Sequence, residues 1–260
     1  MKKLIFTAAL FLTCAACSSL KPAAGTADVS VSAKTTGQAD TPVQLIRSGS
    51  YLQEINGTSE KNYNFQVRVE NLAYAKNVFV HQKLTNGNWT NIALSYSGPL
   101  DSGFELWNVY FNNSMADTQF VIGYTVNGVT YWDNNDGSYY NQPLNSGEML
   151  GVRFNVGVYY WAFMNNTLSV QVDVRNLAYS KTVKIVWSSD SWKTSQVGYA
   201  SFQSSYTYGY ATVSCPTAAG FERWTAAVST GSIPNLQFYV EYDVNGQQYF
   251  DNNWNSNFGD

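Results

Sequence analysis

The sequence predicts an all-β protein built from two tandem antiparallel β-sandwiches. Three observations carry this. The first is composition: of 260 residues, 16% are aromatic and only 13% charged, and Asn, Ser, Thr, Gly and β-branched residues fill much of the rest, a mixture that favours strands and turns. The second is a repeat. Tyr124-Thr-Val-Asn-Gly-Val-Thr-Tyr-Trp-Asp-Asn-Asn135 returns 118 positions later as Tyr242-Asp-Val-Asn-Gly-Gln-Gln-Tyr-Phe-Asp-Asn-Asn253, with eight of twelve positions identical. That spacing is the length of a domain and far exceeds a solenoid period. The third is period-2 alternation in short runs bounded by turn residues, with no segment showing a convincing helical period.

The chain begins with Lys2 and Lys3 and an apolar run of 13 residues, Leu4 to Ala16. This run is too short for a membrane-spanning helix and suits a leader. It ends Cys14-Ala15-Ala16-Cys17, small residues before a cysteine that resemble a bacterial lipobox, although Cys14 stands where Leu is usual. The resemblance implies a signal peptide over 1–17, acylation of Cys17 and a membrane partner reached through that lipid. Ordinary secretion after cleavage nearby is the alternative. No Asp follows Cys17, which by resemblance fits an exported outer-membrane lipoprotein. Residues 18–42, rich in Ser, Ala, Thr and Gly, read as a flexible tether with an r.m.s. span of about 25–30 Å.

The first domain is expected over 43–140, a linker over 141–149 and the second domain over 150–260. In the first, Phe65, Val67 and Val69 alternate with polar residues as a half-buried strand. Asn71-Leu-Ala-Tyr-Ala-Lys-Asn-Val78 follows, then a strand through Val80, a Gly/Asn-rich loop with Trp89, Tyr96, and Phe104-Glu-Leu-Trp107. The second repeats the order: Val170, Val172 and Val174; Asn176-Leu-Ala-Tyr-Ser-Lys-Thr-Val183; Trp192; Phe202; Phe221-Glu-Arg-Trp224. Its stretch 193–220 is longer, and Tyr206, Tyr208 and Tyr210 read only as an aromatic loop.

Each domain closes on a hairpin. Asn-Gly favours a two-residue turn in which both residues take positive φ. The turn sets Tyr124 opposite Tyr131, Gly123 opposite Trp132 and Glu241 opposite Phe250. Phe120, Ile122, Tyr124, Val126, Val129 and Tyr131 then form the core face of the first hairpin, and Phe238, Val240, Tyr242, Val244 and Tyr249 that of the second. Trp132 points outward, as do Tyr239 and its diagonal neighbour Phe250. Trp107 and Trp224 are expected in the core.

Other classes find little support. A net charge of −3 disfavours nucleic acid and other polyanions. His81, the sole histidine, lies in the other repeat from Cys215, so no Cys/His pair is in view. The loops Asp133-Asn134-Asn135 and Asp251-Asn252-Asn253 hold one carboxylate each, meagre for calcium. No cofactor or metal is implied. Glycoside hydrolysis needs two carboxylates about 5–10 Å apart in a cleft, and the acids here are few and scattered.

The ordered blocks Asn-Leu-Ala-Tyr-x-Lys-x-Val, loop Trp, Phe-Glu-x-Trp and Tyr-x-Val-Asn-Gly-x-x-Tyr-Trp/Phe-Asp-Asn-Asn, present in both halves, resemble the family 21 carbohydrate-binding modules. The resemblance implies an immunoglobulin-like β-sandwich and non-catalytic binding of α-glucans such as starch, glycogen or maltooligosaccharides. It implies contacts at Tyr74, Lys76, Trp89, Phe104, Trp132 and Asn134 in the first half, and at Tyr179, Lys181, Trp192, Phe221, Tyr239, Phe250 and Asn252 in the second. Val121 stands where the second half has Tyr239, so the first platform is expected to lack a ring. Flat rings cover the apolar faces of sugars while Asn and Lys meet the polar rim. The implied partners are an α-glucan and separate glycoside hydrolases. The alternative is a protein-interaction scaffold, by analogy with phosphatase-targeting relatives, although no basic-Val-x-Phe docking segment is present.

Overall fold

The computed structural model describes residues 41–100, 103–231 and 235–259. The leader, Cys17 and the tether up to residue 40 lie outside the described residues. All regular elements among the described residues are strands, as expected. The first half comprises β1 (Val43–Ile55), β2 (Thr58–Glu70), β3 (Lys76–Leu84), β4 (Trp89–Ala93), β5 (Ser95–Pro99), β6 (Phe104–Asn112), β7 (Ala116–Val126), β8 (Val129–Asp133), β9 (Tyr140–Asn141) and β10 (Gly147–Leu150). The second comprises β11 (Val156–Met164), β12 (Thr167–Arg175), β13 (Lys181–Ser188), β14 (Gln196–Tyr199), β15 (Ser201–Phe202), β16 (Ser205–Tyr208), β17 (Ala211–Ser214), β18 (Phe221–Ser229), β19 (Gln237–Val244), β20 (Gln247–Asp251) and β21 (Phe258–Gly259).

These strands make two sandwiches. The first packs sheet β10-β1-β2-β6-β5 on sheet β4-β3-β7-β8, with β9 added beside β7. The second packs β11-β12-β18-β15 on β14-β13-β19-β20, with β21 beside β19. All pairings are antiparallel. Alternation places Phe65, Val67 and Val69 of β2 against Val78, Val80, Phe120, Ile122 and Tyr124 in one core. Val170, Val172 and Val174 meet Val183, Ile185, Phe238, Val240 and Tyr242 in the other. Each such side chain contributes roughly 1.5–3 kcal/mol on burial.

The Asn-Gly turns take the expected form, with Asn127 at φ 51°, Gly128 at 77°, Asn245 at 53° and Gly246 at 72°. The register follows: Tyr124 faces Tyr131, Gly123 faces Trp132, and Glu241 faces Phe250. Val129 departs from expectation, being 49% exposed, because it sits beside the turn at the hairpin tip.

The stretch 141–149, read above as a linker, is largely built into the first sandwich. Residues 146–150 are buried, and β10 pairs with β1 through Ser50–Gly147 to Arg47–Leu150. No alternating pattern announces a strand of four residues. Gly151 then passes close to β1, where a Cβ would stand 1.8 Å from the Leu45 carbonyl oxygen.

A buried ionic cluster joins the halves. Arg47 of β1 lies 3.8 Å from Glu148 and 3.9 Å from Asp173 of β12, and donates to the Val158 carbonyl at 2.8 Å. Arg223 of β18 grips Asp173 with Nε at 2.6 Å and Nη2 at 3.1 Å, and stacks on Tyr159 and Tyr206. The Tyr/Ser-rich insertion is the hairpin β16–β17, laid on the first sandwich. Tyr206 Oη accepts from the Glu148 amide at 3.3 Å, Tyr208 Oη donates to Asn64 Oδ1 at 2.9 Å, and Tyr51 meets Tyr208 edge to ring and Tyr210 at a tilt of 50°. Gly49 and Gly147 leave the room: a Cβ at either would stand 2.0–2.1 Å from a tyrosine hydroxyl.

Candidate functional site

Each sandwich carries rings on its sheet containing the Asn-Gly hairpin. In the second, Tyr239 on β19 lies 5.5 Å from Trp192 and 6.1 Å from Phe250 on β20. Phe250 faces Glu241, so the Tyr239–Phe250 contact is the expected diagonal one. A polar strip flanks the rings: Lys184 ion-pairs with both Glu241 and Asp243, which holds its ammonium charged well beyond the usual range. Trp192 is held by its loop. Ser188 Oγ accepts from the Trp192 amide at 3.0 Å and donates to Asp190 at 2.9 Å. Hydrogen bonds from the Thr194 amide and hydroxyl pull the Asp190 carboxyl down to about 2.

In the first sandwich the rings form a longer run. Trp132 is 41% exposed and meets His81 at 5.7 Å; His81 lies parallel to Trp89 at 4.9 Å, and Trp89 meets Tyr139 at 5.6 Å. Trp89 opens β4, opposite Lys83, where a loop position was expected. Phe79 supports Trp132 edge-on at 5.6 Å and lies across Gly123, where a Cβ would stand 2.3 Å from the ring.

The missing ring at Val121 is replaced from the neighbouring strand. His81 pairs with Val121 in the first sandwich, and Val186 pairs with Tyr239 in the second. One cross-strand pair thus carries one ring in each half, on opposite strands. Sequence comparison by position registers only the loss at Val121. His81 becomes visible once β3 is known to lie beside β7.

Two further expected contacts lie in the loops before β3 and β13. Tyr74 and Tyr179 project fully into solvent, at 102% and 101% exposure. Tyr96 and Phe202 stand edge-on to Trp107 and Trp224, each at 6.0 Å, confirming that they occupy matching places. Four expected contacts are placed otherwise. Lys76 Nζ bonds Glu105 at 2.8 Å and Asn71 at 2.6 Å, and Lys181 Nζ bonds Glu222 at 2.9 Å and Asn176. Both lysine side chains are 3% exposed or less, because the semi-buried glutamates draw them inward. Those glutamates also accept from the indoles of Trp107 and Trp224, so the repeated blocks tie strands together. Phe221 is 1% exposed, packed in the first sandwich's core with Arg175 over its ring at 4.8 Å. Phe104 is half-buried under the Arg68 guanidinium at 3.2 Å.

The Asp-Asn-Asn loops are staples. Asp133 accepts from the Leu45 amide at 2.7 Å and from the Tyr140 hydroxyl, and Asp251 accepts from the Val158 amide at 2.6 Å. Each ties one sheet of its sandwich to the other. Burial pushes both carboxyls above their ordinary value. Asn134 Oδ1 accepts from the Gly137 amide at 3.0 Å, and Asn252 Oδ1 from the Asn255 amide at 3.1 Å, which shapes the loops beside Trp132 and Phe250. Cys215 is a free thiol whose sulfur accepts from the Arg223 amide at 3.4 Å, and burial raises its pKa.

Each ring cluster thus offers flat apolar faces on exposed strands, with amides and charges at its margin. Residues 155–259 match the model of the carbohydrate/starch-binding module (family 21). The chain is 32% identical over 95 residues to glucoamylase 1 of Rhizopus oryzae and 34% identical over 99 residues to glycogen-binding subunit 76A of Drosophila melanogaster. Each alignment covers 36% of this chain, which spans only 14% and 13% of those curated relatives. The solved starch-binding domain of Rhizopus oryzae glucoamylase, in complex with beta-cyclodextrin and maltoheptaose, is 28% identical; it aligns over 42% of this chain and 99% of its own, with a TM-score of 0.33.

Proposed function

We propose that the protein binds α-glucans without cleaving them, through the ring clusters of both sandwiches. The observation that carries this is the run Trp192–Tyr239–Phe250 within the family-matched stretch, answered in the first sandwich by Trp89–His81–Trp132. Rings spaced on a rigid sheet meet successive apolar sugar faces at small entropic cost, and the Lys184–Glu241–Asp243 strip meets the hydroxyl rim. Binding one polymer at both sandwiches raises avidity by roughly 10²–10⁴. The lipobox-like Cys14-Ala-Ala-Cys17 and the Ser/Ala/Thr/Gly-rich stretch after it, read from the sequence, support a reading in which this binding is held at a membrane surface outside the cytoplasm, beside separate hydrolases.

Calorimetric titration of the full chain with β-cyclodextrin tests the proposal. Heat of binding that falls in stages in Trp192→Ala and Trp89→Ala is the expected result. A folded chain giving no heat with any α-glucan would defeat it and bring the protein-scaffold alternative forward.

A further inference from the structure

The cleft between the two sandwiches has a volume of about 270 Å³. Tyr139 and Asn141 line it from the first sandwich, and Arg175, Ala218 and Phe221 from the second. Tyr139 is 49% exposed and is also the last ring of the run Trp132–His81–Trp89–Tyr139. The run therefore leads into the cleft. Its counterpart in the second half is Asn257, so only the first platform is extended in this way.

The chemistry of the walls suits one sugar ring. Arg175 is anchored through Nε to Asn155 at 3.2 Å and through Nη2 to the Gly151 carbonyl at 3.0 Å, with Leu150 and Phe154 carbonyls farther off. Among the described residues no carboxylate pairs with it, and Nη1 carries no hydrogen bond. The exposed amide of Asn141 lies in the opposite wall. Pockets for drug-sized ligands run to ~300–1,000 Å³, so this cleft is of monosaccharide size. The Arg47–Asp173–Arg223 cluster joins the two sandwiches that supply its walls.

We infer that the cleft is a subsite for the terminal glucosyl unit of an α-glucan chain lying on the Trp132–Tyr139 run. This rests on the proposed glucan binding. Tyr139 stacks on the sugar as the chain leaves Trp89, while Arg175 Nη1 and the Asn141 amide hydrogen-bond its hydroxyls. A ring-shaped glucan has no end to insert.

The test compares maltoheptaose, which has ends, with β-cyclodextrin, which has none, by calorimetry on the full chain carrying Trp192→Ala to silence the second platform. Ala218→Trp fills the cleft from an exposed position, and Asn141→Ala removes one polar contact. Each is expected to weaken maltoheptaose binding by about five- to tenfold and to leave β-cyclodextrin binding and the melting temperature unchanged. Maltoheptaose affinity unchanged in both variants, or both ligands weakened alike, would overturn the subsite while leaving glucan binding intact. Failure of either ligand to bind the parent protein would instead remove the platform on which the subsite depends.

Discussion

The His81 ring lies parallel to the Trp89 ring, with centroids 4.9 Å apart and planes inclined by 12°. In the other sandwich Tyr239 takes this place beside Trp192, from the adjacent strand. His81→Ala, made in the Trp192→Ala background, is expected to weaken β-cyclodextrin binding by about three- to tenfold, the worth of one aromatic contact. His81→Phe should restore most of it. Equal affinity in all three proteins would show that the histidine is a bystander.

Lys76 is a structural cation. Lys76→Ala leaves Glu105 without its charge partner, at a cost of about 3–5 kcal/mol for a pair this buried. Urea unfolding should show that loss, while glucan affinity under native conditions stays within about twofold. A direct sugar contact would give the reverse pattern, with stability kept and affinity lost.

Much of this was legible in the residues, and the exceptions have physical reasons. Strand alternation and the Asn-Gly turns determine which side chains share a face, so Trp132 and Phe250 were correctly turned outward. A motif does not reveal burial: Lys76 and Lys181 are drawn in by glutamates about 30–40 residues away, and Phe221 by the other sandwich's core. The β16–β17 hairpin had no local signal of its partner, since Tyr208 bonds a residue 144 positions distant.

Asp190 orders the Trp192 loop. Asp190→Ala frees Ser188 and Thr194 from their shared acceptor, and the released loop must be ordered again on binding, at a cost of roughly 0.5–1.5 kcal/mol per side chain. Affinity at the second platform, isolated by Trp89→Ala, should fall about two- to tenfold with an unchanged melting temperature. A large drop in melting temperature would place Asp190 in the fold instead.

Asp251 supplies a pH signature. Its carboxyl is raised by burial in the folded state, so between the ordinary and the raised value the folded chain binds this proton more fully than the unfolded chain does. Stability from this group therefore rises as pH falls through the raised value toward the ordinary ~3.9. Asp251→Asn keeps an acceptor for the Val158 amide and removes the titration. The melting temperature of the parent, relative to this variant, is expected to increase as pH is lowered from 7 to 4. A constant difference would contradict it.

The junction should be the most sensitive point in the chain. Arg223→Ala removes both close hydrogen bonds to buried Asp173 and leaves it only the longer contact with Arg47, at an expected cost of about 3–5 kcal/mol. Arg223→Ala combined with Asp173→Ala should cost less than the sum of the single changes, because the two residues are directly paired. Strict additivity in denaturant unfolding would argue against the coupling.

The tyrosine hairpin on the floor made by Gly49 and Gly147 also bears on how such a chain can be inherited. Repeated modules ordinarily travel as cassettes, copied, deleted or exchanged one at a time. Here a recombination that moved one half alone would bare the hollow over the two glycines, separate Arg47 from Asp173, and leave Phe221 without the core that covers it. The two halves are physically interdependent, and a recombination that kept both together would be the one to leave these contacts intact.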